Sequence, residues 1–210
     1  MEWGQASLSH PAGQVSGDLY VVRSFRDGLL VGVVDGLGHG PDAAAASRLC
    51  AALLEERAGQ PLIESMNACH ERLQGTRGAA LSLASFNLRD ATLSWVGVGN
   101  VAAVLVSAAV PARLRAAATP PPGREFLLLR SGVVGGRLPR LTDKTIRLMD
   151  GDTLVMATDG IRGDFSLGLD TLDTPQEIAR RVLKRHATGK DDALVVVVRY
   201  TEADRATIPA

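Results

Sequence analysis

Short runs of apolar and β-branched residues, most of them in consecutive pairs, restrict most strongly how this chain can fold. They predict strands near residues 19–25, 29–34, 80–87, 92–97, 102–107, 126–130, 145–148, 153–157 and 193–200. Helical stretches are few, so regular alternation of strands and helices around a parallel sheet is not indicated. The pattern predicts an α+β domain in which antiparallel sheets carry helices on their outer faces.

Three stretches have the sequence pattern of helices. Residues 41–58 are rich in alanine and leucine and begin with Pro41 at the first helical position. Residues 62–73 repeat at spacings of three and four, which predicts one face made of Ile63, Met66, His70 and Leu73. The third helix begins with a capping box at Thr174-Pro175-Gln176-Glu177 and continues to His186.

Composition limits the possible functions. The 210 residues suit one domain, 1–210, with short flexible termini, and the net charge of +0 favours neither nucleic acid nor an anionic membrane as a partner. No run approaches the roughly 18 to 20 apolar residues that span a bilayer, and residues 1–17 lack a signal-peptide pattern. We therefore expect a cytoplasmic protein. Cys50 and Cys69 fall in helical stretches and suggest no disulfide framework.

The positions of the aspartates carry the most functional information. Asp35 and Asp159 each end an apolar strand and precede a glycine, Asp191 and Asp192 directly precede the last strand, and Asp18 begins an early one. A hairpin turning near residues 26–27 pairs positions whose numbers sum to about 53, which sets Asp18 opposite Asp35. The same sheet edge can receive Asp159 and Asp191, so four or five carboxylates are expected to converge.

Two interpretations of these aspartates are open from the residues alone. Converging carboxylates repel and raise one another's pKa, and a Mg²⁺ or Mn²⁺ ion resolves that conflict. Asp-Gly is also a common turn signal and occurs four times, at Asp27, Asp35, Asp150 and Asp159. We assign Asp27 and the segment 150–152 to hairpin turns, and the metal site depends on the joint arrangement of the others.

Five short motifs resemble those of the PP2C-type (PPM) serine/threonine phosphatases, in particular the bacterial SpoIIE-like group. In chain order they are Ser16-Gly17-Asp18, Asp35-Gly36-Leu37-Gly38-His39-Gly40, Gly97-Val98-Gly99-Asn100, Thr158-Asp159-Gly160 and Gly189-Lys190-Asp191-Asp192. They keep the order of the family and span about residues 16–200. The resemblance implies an α/β/β/α sandwich of two antiparallel sheets flanked by helices.

The resemblance also implies an activity and a set of roles. The activity is hydrolysis of phosphoserine and phosphothreonine by a water activated between two divalent cations, Mn²⁺ or Mg²⁺. Asp35 should bridge the cations, the Gly36 carbonyl should bind one of them, and Asp159 and Asp191 should bind the other. Asp18 should hold a water at the metals. Asp192 has no settled role, and His39 is either a general acid or a loop residue outside the mechanism.

The short chain, with its motifs starting near residue 16, is similar to the stand-alone stressosome phosphatases of this group. That similarity implies phosphorylated STAS-domain scaffold proteins as partners and a role as a feedback regulator of stress signalling. Two alternatives are a phosphatase of a free anti-anti-sigma factor and a catalytically silent phosphoprotein-binding module of the same fold. The sequence gives no indication of oligomeric state.

Overall fold

The computed structural model of this protein describes residues 1–10, 14–110, 122–167 and 169–206. Its strands are β1 (Glu2–Leu8), β2 (Asp18–Phe25), β3 (Gly28–Gly36), β4 (Ala79–Asn87), β5 (Thr92–Val98), β6 (Ala102–Val106), β7 (Arg124–Phe126), β8 (Lys144–Arg147), β9 (Thr153–Ala157) and β10 (Ala193–Arg199). They form two antiparallel sheets of five strands, in the orders β1-β10-β9-β6-β7 and β2-β3-β4-β5-β8. We call these the first and the second sheet.

The two sheets pack face to face around a shared apolar core. Strands of the second sheet contribute Val31, Phe86 and Trp95, and strands of the first contribute Met156 and Val196, all at most 1% exposed. Because neighbouring strand residues point to opposite faces, the other half of each buried strand packs outward against helices. This two-sided burial explains why the strands are nearly continuous apolar runs.

Helices cover both outer faces. The helices are α1 (Pro41–Glu56), α2 (Leu62–Leu73), α3 (Pro175–His186) and the short α4 (Ala203–Ala206), with a 3₁₀ turn at Gly163–Ser166. Helices α1 and α2 pack on the second sheet, and α3 packs on the first. The α3 capping box forms as predicted between Thr174 and Glu177. None of the helices in the described part of the chain combines the length and apolar character needed to cross a membrane.

The predicted fold class is confirmed, but several elements differ from their sequence-based prediction. The buried face of α2 is Leu62, Ser65, Met66, Cys69 and Leu73. Ile63 and His70 are only half-buried, and His70 Nδ1 accepts a hydrogen bond from the Gly135 backbone N–H at 2.9 Å. At two positions the buried residue is therefore the one before the predicted residue, Leu62 in place of Ile63 and Cys69 in place of His70.

Two strands and one turn also differ from what the sequence predicts. Strand β1 was not predicted because its sequence contains no β-branched residue, and it is formed by pairing with β10. The strand expected at 126–130 is Arg124–Phe126, and most of the proline-rich loop at 119–123 lies outside the described residues. The segment 150–152 is a turn but closes no hairpin, since β8 pairs with β5 in the second sheet and β9 lies in the first.

Candidate metal centre

The hairpin of β2 and β3 brings two of the candidate aspartates together. Asp18 pairs directly with Asp35 in the antiparallel ladder, which is the register predicted from the sequence. The Asp18 side chain is buried, and Asp35 is half-buried. Asp18 Oδ2 accepts a hydrogen bond from Thr158 Oγ1 at 2.7 Å. Because Thr158 directly follows β9, this bond ties the ends of the two sheets together.

Asp159 and Asp191 lie at the ends of strands in the first sheet, not on the edge that holds Asp18 and Asp35. Strands β9 and β10 are antiparallel neighbours as expected, but the hairpin belongs to the second sheet. The prediction of one shared sheet edge is therefore wrong, because a strand's sequence does not reveal which layer it joins. The aspartates approach one another from both layers of the sandwich.

Glycine at position 36 lets α1 pack directly against the loop that follows Asp35. A Cβ atom at Gly36 would lie 2.3 Å from the Ala43 carbonyl oxygen, so a side chain there would push the helix away. The Gly17 carbonyl accepts hydrogen bonds from the Gly36 N–H at 3.1 Å and from Ser47 Oγ at 2.5 Å. These contacts fix the Gly36 backbone, which directly follows Asp35, relative to Gly17 and Asp18.

Asn100 is hydrogen-bonded to Asp159. Its side-chain amide donates a hydrogen bond to Asp159 Oδ2 at 2.6 Å, and its hydrogen bonding also lowers the pKa of Asp35. Asn100 thus lies between an aspartate of each sheet. The tight turn before it requires glycine, since Gly99 has a φ of +95° and a Cβ there would lie 2.4 Å from the Ala80 side chain.

Asp191 and Asp192 have different surroundings although they are adjacent. Asp192 is 5% exposed, and its two oxygens accept hydrogen bonds from the backbone N–H groups of His10 at 2.7 Å and Gly17 at 2.6 Å. Asp191 is exposed, and its Oδ1 accepts the Asp192 N–H at 2.8 Å. Asp192 therefore positions the segment that carries Asp18. The Asp191 carboxylate faces solvent, and its Oδ2 is available to a ligand.

Burial and mutual repulsion perturb the pKa values of this cluster. Burial, followed by the charge of Asp35, raises the pKa of Asp18 to about 8, against an opposing effect of the Thr158 hydroxyl. Burial, followed by the charges of Asp159 and Asp191, raises the pKa of Asp35 to about 7. Burial and then Asp191 also raise the pKa of Asp159. Aspartates from both sheets thus share one electrostatic environment in which full ionisation is unfavourable.

The chemistry of these donors fits a hard divalent cation, although no preformed coordination shell is present in the described ranges. Within residues 1–10, 14–110, 122–167 and 169–206, no three acidic, histidine or cysteine side chains are arranged to hold a metal ion. A carboxylate has roughly four lone-pair sites, so the hydrogen bond from Thr158 to Asp18 leaves oxygen positions available on that side chain. Asp159 accepts the Asn100 amide and nearby backbone N–H groups, and it is exposed to solvent. Carboxylate and carbonyl oxygens are the ligands that Mg²⁺ and Mn²⁺ prefer. The predicted ligand set of Asp18, Asp35, Gly36, Asp159 and Asp191 stays a prediction.

Sequence reasoning gave no role to Thr158 and left that of Asp192 open. The Thr158 hydroxyl donates to Asp18 and accepts the Leu194 backbone N–H at 2.9 Å, so one side chain connects three segments. A polar residue at the end of the apolar run 153–157 was the available signal. Its partner could not be identified without knowing that the two sheets meet there.

Known proteins resemble this chain in sequence and in fold. The family model described as Stage II sporulation protein E (SpoIIE) matches residues 26–201, which include Asp35, Asp159 and Asp191 and begin after Asp18. The chain is 25% identical over 193 residues to the phosphoserine phosphatase RsbX of Bacillus subtilis (strain 168), covering 91% of this chain and 90% of that protein.

Solved structures show the same arrangement of sheets and helices. A structure from work on the bacterial stressosome has a TM-score of 0.81 and 27% identity, covering 93% of this chain and 97% of that chain. The crystal structure of RsbX in complex with magnesium has a TM-score of 0.78 and 23% identity, covering 93% of this chain and 92% of that chain. At that level of identity the RsbX structure supports the fold.

Proposed function

Because this chain belongs to the SpoIIE family of PP2C-type phosphatases, we propose that it hydrolyses phosphoserine and phosphothreonine in proteins with the help of two divalent cations. The main support is the cluster of Asp18, Asp35 and Asp159, whose pKa values are raised by burial and by neighbouring carboxylates. Such a cluster is unfavourable by itself and becomes favourable when a cation neutralises it. Its position at the end of a two-sheet sandwich gives a protein substrate access from solvent.

We assign the ligand roles as the family resemblance implies. Asp35 would bridge the two cations, the Gly36 carbonyl would bind one, Asp159 and Asp191 would bind the other, and Asp18 would hold a water beside them. When bound, the cations supply an activated water and stabilise the charge on the transferring phosphoryl group. Asp35 must be ionised to bind them, so binding would displace its proton, and the added positive charge would also favour the ionised form of Asp18.

The chain's own residues prepare the position of the attacking water. Thr158 occupies Oδ2 of Asp18, so that the lone pairs of Oδ1 remain to orient a water toward the phosphorus atom. Asp192 binds the Gly17 N–H and fixes the backbone just before Asp18. Hydrolysis breaks the bond between phosphorus and the seryl oxygen, which takes up a proton from water. His39 is exposed on the loop after Asp35, and we assign it no role in this step.

For the substrate, we propose phosphorylated STAS-domain proteins of a stressosome, on which the protein would act in the cytoplasm as a feedback regulator. The support comes from its relatives, since RsbX is a phosphoserine phosphatase and one of the similar structures described above comes from work on the bacterial stressosome. A free anti-anti-sigma factor would present the same phosphorylated domain outside a scaffold. Comparing the two as substrates separates these possibilities.

The test is release of phosphate from an aryl phosphate and from phosphoserine and phosphothreonine peptides, with Mn²⁺, with Mg²⁺ and with a chelator. Asp35→Asn removes the proposed bridging ligand. Asp27→Asn is the matched control, because Asp27 lies in the turn of the same hairpin, about 25 Å from Asp35 along the strand. We expect metal-dependent release that Asp35→Asn abolishes and Asp27→Asn preserves.

Two results contradict the proposal. Hydrolysis that survives in Asp35→Asn would rule out the assigned site. Absence of release from every substrate, including a phosphorylated STAS-domain protein, would favour a phosphoprotein-binding module that does not turn its partner over. If hydrolysis is found, rates on an assembled scaffold and on a free anti-anti-sigma factor identify the preferred partner.

A further inference from the structure

The proposed phosphatase site has an excess of negative charge. Five aspartates, Asp18, Asp35, Asp159, Asp191 and Asp192, lie in it or beside it and exceed the charge of two divalent cations. A phosphate monoester adds close to two further negative charges at neutral pH. Binding this substrate therefore calls for a cationic side chain beside the cluster.

Arg77 is held in the turn next to the loop that follows Asp35. The Thr76 hydroxyl donates to the Leu73 carbonyl at 2.6 Å and accepts the Gly78 N–H at 3.0 Å, which fixes this turn at the end of α2. The Gly78 carbonyl in turn accepts the Leu37 N–H at 3.0 Å. The turn that carries Arg77 is therefore joined directly to the residue two positions after Asp35.

The Arg77 guanidinium occupies space that the absence of a side chain at Gly38 leaves open. A Cβ atom at Gly38 would lie 2.6 Å from Arg77 Nη1, closer than non-bonded atoms approach each other. Gly38 also has a φ of +89°, which other residues rarely adopt. The Arg77 guanidinium therefore lies directly against the loop backbone at a point three residues beyond Asp35.

Arg77 also retains the capacity to bind a ligand. Its Nη2 lies 3.4 Å from Asp42 Oδ2, and the two side chains are 52% and 73% exposed. Exposed ion pairs of this kind contribute little free energy, so Asp42 orients the guanidinium without committing it. Arg162, which follows Asp159, is engaged instead by the Arg185 carbonyl at 2.7 Å and by Asp164 at 3.5 Å.

We infer that Arg77 binds the phosphoryl oxygens of the substrate and is a substrate-binding residue of this site. The planar guanidinium can donate two parallel hydrogen bonds to phosphate oxygens that the cations do not hold, which lysine and glutamine cannot do. This inference rests on the proposed phosphatase function. It concerns the phosphate group itself, so it applies equally to an aryl phosphate, a phosphopeptide and inorganic phosphate.

The test compares Arg77→Gln and Arg77→Lys with the unaltered protein. Arg89→Gln is the matched control, because Arg89 is a half-exposed arginine paired with Asp27 at the far end of the second sheet. The readouts are kcat and KM for an aryl phosphate and for a phosphoserine peptide, the inhibition constant of inorganic phosphate, and the Kd of inorganic phosphate by calorimetry, all with saturating Mg²⁺.

We expect Arg77→Gln to raise KM, the inhibition constant and the Kd together by about tenfold to a hundredfold, because this is the effect of losing a charge-assisted hydrogen bond. We expect kcat to change less, Arg77→Lys to recover part of the affinity, and Arg89→Gln to match the unaltered protein. Phosphate constants within twofold of the unaltered protein would overturn the inference. So would a change in KM confined to peptides, which would show that Arg77 contacts the polypeptide.

The two proposals fail in different ways. An active unaltered protein with unchanged phosphate affinity in Arg77→Gln overturns the role of Arg77 and leaves the phosphatase function intact. An unaltered protein that releases no phosphate from any substrate overturns the phosphatase function and, with it, this inference.

Discussion

Replacing Asp35 by asparagine is expected to stabilise the metal-free protein while removing its response to metal. Asp35 is paired with Asp18 in the hairpin, and the pKa values of the two carboxyls are raised to about 7 and about 8. In the unfolded chain both groups titrate near 3.8. Asparagine keeps the shape of the side chain and removes one of the charges that repel each other.

The sign of the pH dependence follows from proton binding. Between about pH 4 and pH 8 the unfolded chain has released protons that folded, metal-free Asp18 and Asp35 still hold. Stability falls with rising pH wherever the unfolded state binds fewer protons, so this pair makes the metal-free protein less stable toward alkaline pH. The advantage of Asp35→Asn should be near zero at pH 4, grow through pH 7 and level off above pH 8.

The magnitude follows from the distance across the hairpin. The Cα atoms of directly opposed residues in an antiparallel pair lie about 5.5 Å apart or less, and we take this spacing as the separation of the two carboxylate charges. Two unit charges at that distance repel by about 3 kcal/mol when the effective dielectric constant is about 20. For a domain of this size, 3 kcal/mol corresponds to a rise in Tm of about 6 to 12 °C.

The assay is thermal unfolding of Asp35→Asn, Asp27→Asn and the unaltered protein between pH 5 and 8.5, in chelator and in Mg²⁺ or Mn²⁺. In chelator, we expect Asp35→Asn to be the most stable at pH 8. With metal at about 100 times its Kd, the unaltered protein should gain about 2.7 kcal/mol, and Asp35→Asn should gain much less. A variant that is no more stable than the unaltered protein in chelator at pH 8, or an advantage independent of pH, would refute the electrostatic reasoning.

Two further predictions concern Thr158 and Gly160, the residues on either side of Asp159. Thr158→Val should lower the free energy of unfolding by about 2 kcal/mol in a urea titration, because a buried hydroxyl bonded to Asp18 is lost, and Thr158→Ser should retain most of it; equal stability of the two variants would contradict this. Gly160→Ala should cost about 3 kcal/mol, because its Cβ would lie 1.8 Å from the Asp192 carbonyl oxygen. Gly163→Ala, where a Cβ meets nothing within 4 Å, is its control, and a Tm for Gly160→Ala as high as for the control would contradict the packing argument.

Local rules predicted the parts of this fold that local interactions determine. The register of the β2–β3 hairpin was predicted correctly, because a two-residue turn fixes every cross-strand pair once its position is known, although the strands extend one or two residues beyond their predicted ends. The limits of α2 and the cap of α3 were predicted for the same reason, since spacing and capping residues act within a few positions. Strand β1 was missed because it exists only through its pairing with β10, almost the whole chain length away.

The candidate site shows the same division between local and long-range information. The sequence indicated which aspartates end strands, but not that β2 and β3 lie in one sheet and β9 and β10 in the other. The sequence alone could have distinguished Asp191 from Asp192, since the side chains of adjacent residues entering a strand point to opposite sides. Only one of the pair can face the cluster of aspartates directly, and the other needs hydrogen-bond donors on the opposite side. The Asp192 carboxylate accepts the backbone N–H groups of His10 and Gly17, and we therefore propose that Asp192 positions Asp18 and does not bind a metal.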